Sequence, residues 1–522
     1  MRNTSLFSLI LASTAALGAC NAITGADALV VQGEGDGGSG GGGTTTSNTG
    51  TAGSSGGTTS NTTTTLPPAM VDAPGVAITQ IALYQGVKAV LMFNGQDTGN
   101  TIPIVANRDA VMRIFVATDF NYNGKPVLGR LTIDGNPAPI EVTAPVNGMP
   151  TDNKLGTTFN FTIPAAAIQP GFAFKVQLLQ EFDPDHPPSP FAHYPTEGFA
   201  PTNAQSVGAG IKLVLVPVRY GADGSNRLPD TSPQMIQGYK DLFQAMYPTP
   251  NVDVTVRDPV SWNQTVGAGG NGWDDLLSYI GQVRSQDNAP FDAYYYGIFN
   301  PASSVNSYCG GGCVAGLGNI AGVGDSYSRA AIGLGFSEGG GAIAYETAVH
   351  EIGHTHGRYH SPCGGAAGTD PNYPHSGAKI GEWGFNILTN SLYNPTTYTD
   401  VMGYCTPIWV SDYTWKGLFQ RIKSVNGASI EVPPEMMNRT YDRARIDMDG
   451  DLHWLPPVRI DFPPQNMPMD VAVETPEGAQ TVTAHFYPYD HLPGGVVVWP
   501  QAGGPSSSVT FQWQGQVKSL VQ

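Results

Sequence analysis

The chain has 522 residues, and 25 basic against 42 acidic side chains leave a net charge of −17. Phosphate binding needs clustered positive charge, so this balance excludes nucleic acid as the main partner. Only 13% of residues are charged, while 66 are glycine and 42 proline. Such a composition points to short strands and long loops, and the length allows about three domains of ~150 residues each.

Residues 1–19 read as a signal peptide. Arg2 supplies the positive start, and the apolar stretch Leu6 to Leu17 is shorter than the ~20 residues a spanning helix needs. It ends in Leu17-Gly18-Ala19-Cys20, which resembles the lipobox of bacterial lipoproteins. The resemblance implies lipidation of Cys20; the alternative is an ordinary signal with an incidental cysteine. Asn21, where an aspartate is the usual inner-membrane retention signal, favours the outer membrane or the cell surface. The expected product is exported and lipid-anchored, touching the membrane through that lipid only. Residues 20–72 read as a flexible linker. Gly35 to Thr65 is almost entirely Gly, Ser, Thr and Asn and cannot bury enough apolar area to offset its ordering entropy. Its mean reach as a coil is roughly 30 Å.

Residues 73–204 alternate as strands, as in Val76–Leu83 and Val111–Val116, with a hairpin signal at Asp134-Gly135-Asn136. They predict a β-sandwich. The rhythm changes near Ile211. The continuous apolar strand Ile211–Val218 precedes helical spacing over Ser232–Tyr247, a strand at Val252–Val256, helical spacing over Trp273–Val283 and an aromatic strand at Phe291–Phe299. Strands alternating with helices predict an α/β layer over residues 205–427. Short strands are expected around Val314–Leu317 and Ala331–Leu334, then a helix from about Ile343. Residues 428–522 return to strands and predict a smaller all-β domain.

The informative stretch is His350-Glu351-Ile352-Gly353-His354-Thr355-His356-Gly357-Arg358-Tyr359-His360. It fits H-E-x-x-H-x-x-G-x-x-H at every fixed position. Composition alone predicts on the order of 10⁻⁵ such matches by chance. His350 and His354, at i and i+4, share one helix face. Gly357 can take a left-handed conformation that ends the helix, and the returning chain delivers His360. Three histidines holding one Zn²⁺ leave a fourth position open, as catalytic sites require. Glu351 lies beside them as general base. His356 points away from that face and reads as a surface or supporting residue. Asp370, Tyr373 and His375 read as ordinary loop residues.

This motif resembles that of the metzincin clan of zinc endopeptidases. The resemblance covers roughly Ile211 to Val425 and implies a later methionine turn beneath the metal, for which Met402 in Asp400-Val401-Met402-Gly403-Tyr404-Cys405 is the candidate. Tyr404, two places on, matches the branches in which a tyrosine approaches the zinc, as a fifth ligand or oxyanion stabiliser. The order of sandwich then catalytic domain is similar to secreted mucin-degrading metallopeptidases, with Gln85-Gly86-Val87 and Ala106-Asn107-Arg108 carrying the weak match.

Five cysteines then divide into Cys20 and two pairs. Cys309 and Cys313 flank three glycines and can close a small loop. A Cys363–Cys405 bridge would pin two walls of the zinc site. Three pairings of four cysteines exist, and this one is preferred over reduced thiols in an exported protein. The expected architecture is multidomain: a metzincin-like α/β catalytic domain flanked by an N-terminal β-sandwich and a smaller C-terminal all-β domain. The expected function is a monomeric, surface-tethered zinc endopeptidase hydrolysing extracellular proteins or glycoproteins by a zinc-activated water, with substrate along an edge strand at Val314–Ile320. The alternative is an adhesion or glycan-binding lipoprotein with an inactive protease-like domain.

Overall fold

The computed structural model describes residues 69–136, 138–427, 439–460 and 462–522. The signal segment, Cys20 and the linker as far as residue 68 lie outside the described residues, as does the expected boundary at 428. Met70–Asp72, assigned to the linker from sequence, is instead a strand paired antiparallel with Leu179–Glu181. Three residues are too few to show a period, so the pairing partner defines this strand. Among the described residues no helix is long and apolar enough to cross a membrane.

The chain is mostly β, with several sheets and few helices. Two antiparallel sheets come first. One orders Gln96–Asp97, Lys88–Phe93, Val76–Tyr84, Ala110–Thr118 and Phe159–Ile163. The other runs Met70–Asp72, Ala173–Glu181, Val127–Ile133 and Ile140–Ala144. Ile81, Leu83, Met112 and Phe161 of the first share one apolar core with Leu131, Phe174 and Val176 of the second. The alternation in these strands puts every second side chain into that core.

The middle region is built on a mixed sheet in the order Val252–Val256, Ile211–Tyr220, Ala293–Phe299, Ala330–Leu334 and Gly316–Gly318. The last is the antiparallel edge. Both faces are covered. Helices α1 (Pro233–Met246) and α4 (Ala342–Thr355) pack on Leu213, Leu215, Tyr294 and Tyr296, whereas α2 (Trp273–Gln286) packs on Val216, Val218, Tyr295 and Ile332. Burial on both faces is why Ile211–Val218 is apolar without alternation. A short helix α3 (Val305–Cys309), not expected from sequence, leads into the Cys309–Cys313 disulfide. Helix α5 (Asp412–Asn426) adds Trp415, Leu418 and Phe419 to the core of α1 and α4.

Arg108 clamps the N-terminal sheets to this region. It is 1% exposed, and its guanidinium donates to the carbonyls of Gln244 (2.6 Å), Tyr247 (3.0 Å) and Thr249 (2.8 Å) at the end of α1, and to Gln85 (3.0 Å). Helix C-termini leave carbonyls without partners and carry partial negative charge, so a buried cation is favourable there. Trp409 donates to Gly86 and Trp415 to Pro103, at 2.8 and 3.1 Å. A side chain on Gly86 would collide with the Trp415 ring. The clamp connects to α4 through Tyr247, whose hydroxyl donates to Val349 at 2.7 Å.

A seven-stranded antiparallel sheet ends the chain, in the order Leu452–Ile460, Arg439–Ile446, Gly495–Pro500, Gly478–Pro488, Met467–Thr475, Ser508–Trp513 and Gln516–Val521. It is docked on the middle region. Buried Arg445 pairs with Asp274 (3.2 Å) and Asp275 at the start of α2. Tyr489 and Leu492, from the connection after Gly478–Pro488, join the α2 core.

Candidate metal centre

Helix α4 begins after Gly341, whose φ of +83° turns the chain into it, and its apolar residues Ala344, Ala348, Val349 and Ile352 face the core. It ends at Gly357, with φ +76°. Gly357 N–H donates to His354 O at 2.7 Å, and Arg358 N–H to Gly353 O at 3.1 Å. These bonds satisfy the last carbonyls and reverse the chain, which brings His360 back beside His350 and His354.

The three imidazoles converge. His354 Nε2 lies 3.0 Å from His350 Nε2 and 3.1 Å from His360 Nε2. Each Nδ1 faces a backbone carbonyl: His350 to Val401 (2.7 Å), His354 to Arg358 (2.6 Å), His360 to Ala367 (2.5 Å). A carbonyl only accepts, so each Nδ1 carries the proton and each Nε2 presents a lone pair inward. Three lone pairs this close repel unless a cation lies among them. Ligating histidines characteristically donate their second N–H in this way, and a tetrahedral centre with bonds of ~2.0–2.1 Å spaces its nitrogens about 3.3 Å apart. Burial pushes His354 down to about 4 and His360 to about 2, and lowers His350 well below its ordinary value. All three are therefore neutral near pH 7. The residues fit a metal ion.

Beneath the cluster, Met402 is 1% exposed. A Cβ on Gly353 would meet its sulfur at 2.5 Å, so the glycine at this variable position of the motif makes room for it. Buried Asp400 shapes this turn, accepting from Met402 N–H (2.8 Å) and Ser411 N–H (3.0 Å). The Tyr404 hydroxyl lies 3.2 Å from His360 Nε2. Cys363 and Cys405 are bonded across the two walls. Glu351 is 1% exposed, and its Oε2 has no partner. Burial, then the carboxylate of Asp490, raises Glu351 well above the ordinary range.

Asp490 and His491 are the residues that sequence reasoning missed. Both belong to the C-terminal sheet's connection, yet their ligand atoms lie within 4.8 Å of those of His350, His354 and His360. Asp490 Oδ2 is 3.2 Å from His354 Nε2, its Oδ1 accepts Gly318 N–H at 2.9 Å, and its side chain is fully buried. His491 Nδ1 bonds Asp490, and its ring stacks on Tyr404 with centroids 5.2 Å apart. No spacing rule links a Tyr-Asp-His tripeptide to a motif more than a hundred residues upstream.

The chain matches no family model and no curated protein.

The remaining candidates fall outside the cluster. His356 points away from the metal face but is not on the surface: it is 1% exposed and stacks on Tyr294 with centroids 4.3 Å apart. The sheet behind α4 ends in an aromatic that covers this side, which helical geometry alone does not reveal. His375 bonds Asp412 at 2.6 Å, Tyr373 bonds Lys379 O, and Asp370 accepts from Tyr413; all three hold loops. The edge strand Gly316–Gly318 runs against α4 so closely that a Cβ on Gly316 would strike the Glu351 carboxylate.

Proposed function

We propose that the chain is a zinc endopeptidase of the metzincin type, exported and tethered through Cys20, acting on extracellular proteins or glycoproteins. The observation that carries this reading is the convergence of three inward Nε2 lone pairs beside a buried, unpartnered carboxylate oxygen. His350, His354 and His360 would hold the ion. Zinc bound there supplies Lewis acidity toward a substrate carbonyl. Glu351 Oε2 takes the proton from the attacking water and hands it to the leaving amine nitrogen. The Tyr404 hydroxyl donates a hydrogen bond to the oxygen where negative charge develops. Gly316–Gly318 offers an extended substrate main-chain partners. The Cys363–Cys405 bridge and Met402 keep these groups in place. The tether and lipid enter the proposal from sequence.

The test maps cleavage sites by mass spectrometry on mucin-like and unglycosylated proteins. The full chain and an Asp490→Ala variant are both used, with and without chelator. Chelator-sensitive peptide cleavage is expected in the variant, with one zinc per chain. Zinc-loaded protein that cleaves neither substrate in either form overturns the proposal.

A further inference from the structure

We propose that the C-terminal sheet locks the metal centre: Asp490 supplies a fourth ligand, and Tyr489–His491 occupies the path that a substrate strand would take. This rests on the zinc reading above and adds to it a latent state.

Three observations converge on it. Tyr489 bridges Asn319 antiparallel, next to the edge strand, and Asp490 accepts the Gly318 N–H. The segment therefore uses the main-chain partners that an extended peptide needs. The Asp490 carboxylate reaches His354 Nε2 at 3.2 Å, and three imidazoles with one carboxylate complete a closed four-ligand set, which leaves no position for chemistry. Finally, the metal-facing side chains are sealed: His350 is 6% exposed, His354 0%, His360 1%, Glu351 1% and Asp490 5%. No substrate reaches them in this conformation.

The segment is built in rather than laid on. Tyr489 and Leu492 are buried among Trp273, Leu276 and Ile280, and Arg445 fixes the neighbouring strand to α2. Among the described residues neither Glu351 nor Asp490 forms an ion pair with a lysine or arginine; His491, bonded to Asp490 and 3.9 Å from Glu351 Oε1, and His354, 3.2 Å from Asp490 Oδ2, are the partners these two buried carboxylates have. Withdrawal of the segment frees the edge strand and the fourth position together, so one movement opens both.

The test uses the full chain loaded with Co²⁺, in wild type, Asp490→Ala and the isosteric Asp490→Asn. Circular dichroism confirms folding of each. Replacing a carboxylate ligand is expected to change the visible cobalt spectrum in both variants. Extraction of zinc by a chelator is expected to run at least tenfold faster in both, and hydrolysis of a protein substrate to rise at least tenfold over wild type. Bound cobalt with an unchanged spectrum and unchanged extraction overturns the lock while leaving the zinc reading intact. A changed spectrum with reduced hydrolysis also overturns it, because Asp490 would then serve the reaction. Failure of wild type to bind cobalt or zinc overturns the underlying reading and this one with it.

Discussion

The Cys363–Cys405 bridge offers a quantitative handle on how the candidate metal centre is held. It closes a segment with sequence separation 42 that begins just after His360 and ends just after Met402 and Tyr404. In the chain-entropy account, a loop of that length restricts the unfolded state by about 4 kcal/mol at 25 °C. The same arithmetic for Cys309–Cys313, with separation 4, yields only about 2 kcal/mol. The native contacts that remain across the walls include Ser361 N–H to Met402 O at 3.0 Å, Tyr404 N–H to Cys363 O at 3.3 Å and the Tyr404 hydroxyl 3.2 Å from His360 Nε2. They do not replace a restriction on the unfolded chain. Cys363→Ser/Cys405→Ser is therefore expected to unfold about 8–16 °C below wild type, taking 2–4 °C per kcal/mol for a cooperative unit of about 200 residues. Zinc should also leave it faster, since His360 and the methionine turn are no longer covalently joined. Calorimetry at matched zinc loading, with a chelator-release assay beside it, reads both effects. A double variant that melts within 3 °C of wild type and releases zinc at the same rate would refute the bracing role.

Arg108→Met should destabilise the chain by about 3 kcal/mol, because the carbonyls at the end of α1 lose a buried charged donor; thermal unfolding checks this, with Arg108→Lys expected to fall between. An unchanged midpoint would mean that the clamp contributes nothing. Glu346 on α4 is raised by burial from its ordinary 4.5 to about 7. The unfolded chain ionises first, so the folded state loses stability as pH climbs from 4.5 to 7 and the loss is constant above that. Glu346→Gln should therefore raise the melting temperature at pH 8, by no more than roughly 3 kcal/mol equivalent, and leave it unchanged at pH 4.

How much of this was legible follows from the range over which each signal acts. His350, His354, Gly357 and His360 lie within one helix turn and its reversal, so their clustering can be read from spacing. The preferred cysteine pairing rests on the glycine-bridged spacing of Cys309 and Cys313 and, for Cys363 and Cys405, on the resemblance that places His360 and Met402 at one site; both pairs are bonded. Leu213–Val218, apolar without interruption, announces a strand buried on both faces. Long-range features left no local trace. Asp490 and His491 reach the cluster because a separate sheet docks on α2. Arg108 and Gln85 carry only a weak resemblance in the sequence, whereas Arg108 caps the end of α1 and Gln85 holds the Arg108 loop. Helical spacing leaves His356 as either a surface or a supporting residue; Tyr294, from the sheet, covers it and decides for the second. Met70–Asp72 is too short for a period and exists through its pairing with Leu179–Glu181.

The central claim is that Glu351 moves a proton during peptide hydrolysis at this metal centre. The most direct measurement compares Asp490→Ala with Asp490→Ala/Glu351→Ala, both carrying one zinc per chain, on the same protein substrate. The account predicts equal zinc content and a loss of hydrolysis of about 10²–10⁴-fold without the glutamate, the usual contribution of a positioned acid–base group. Equal rates in the two proteins would contradict it.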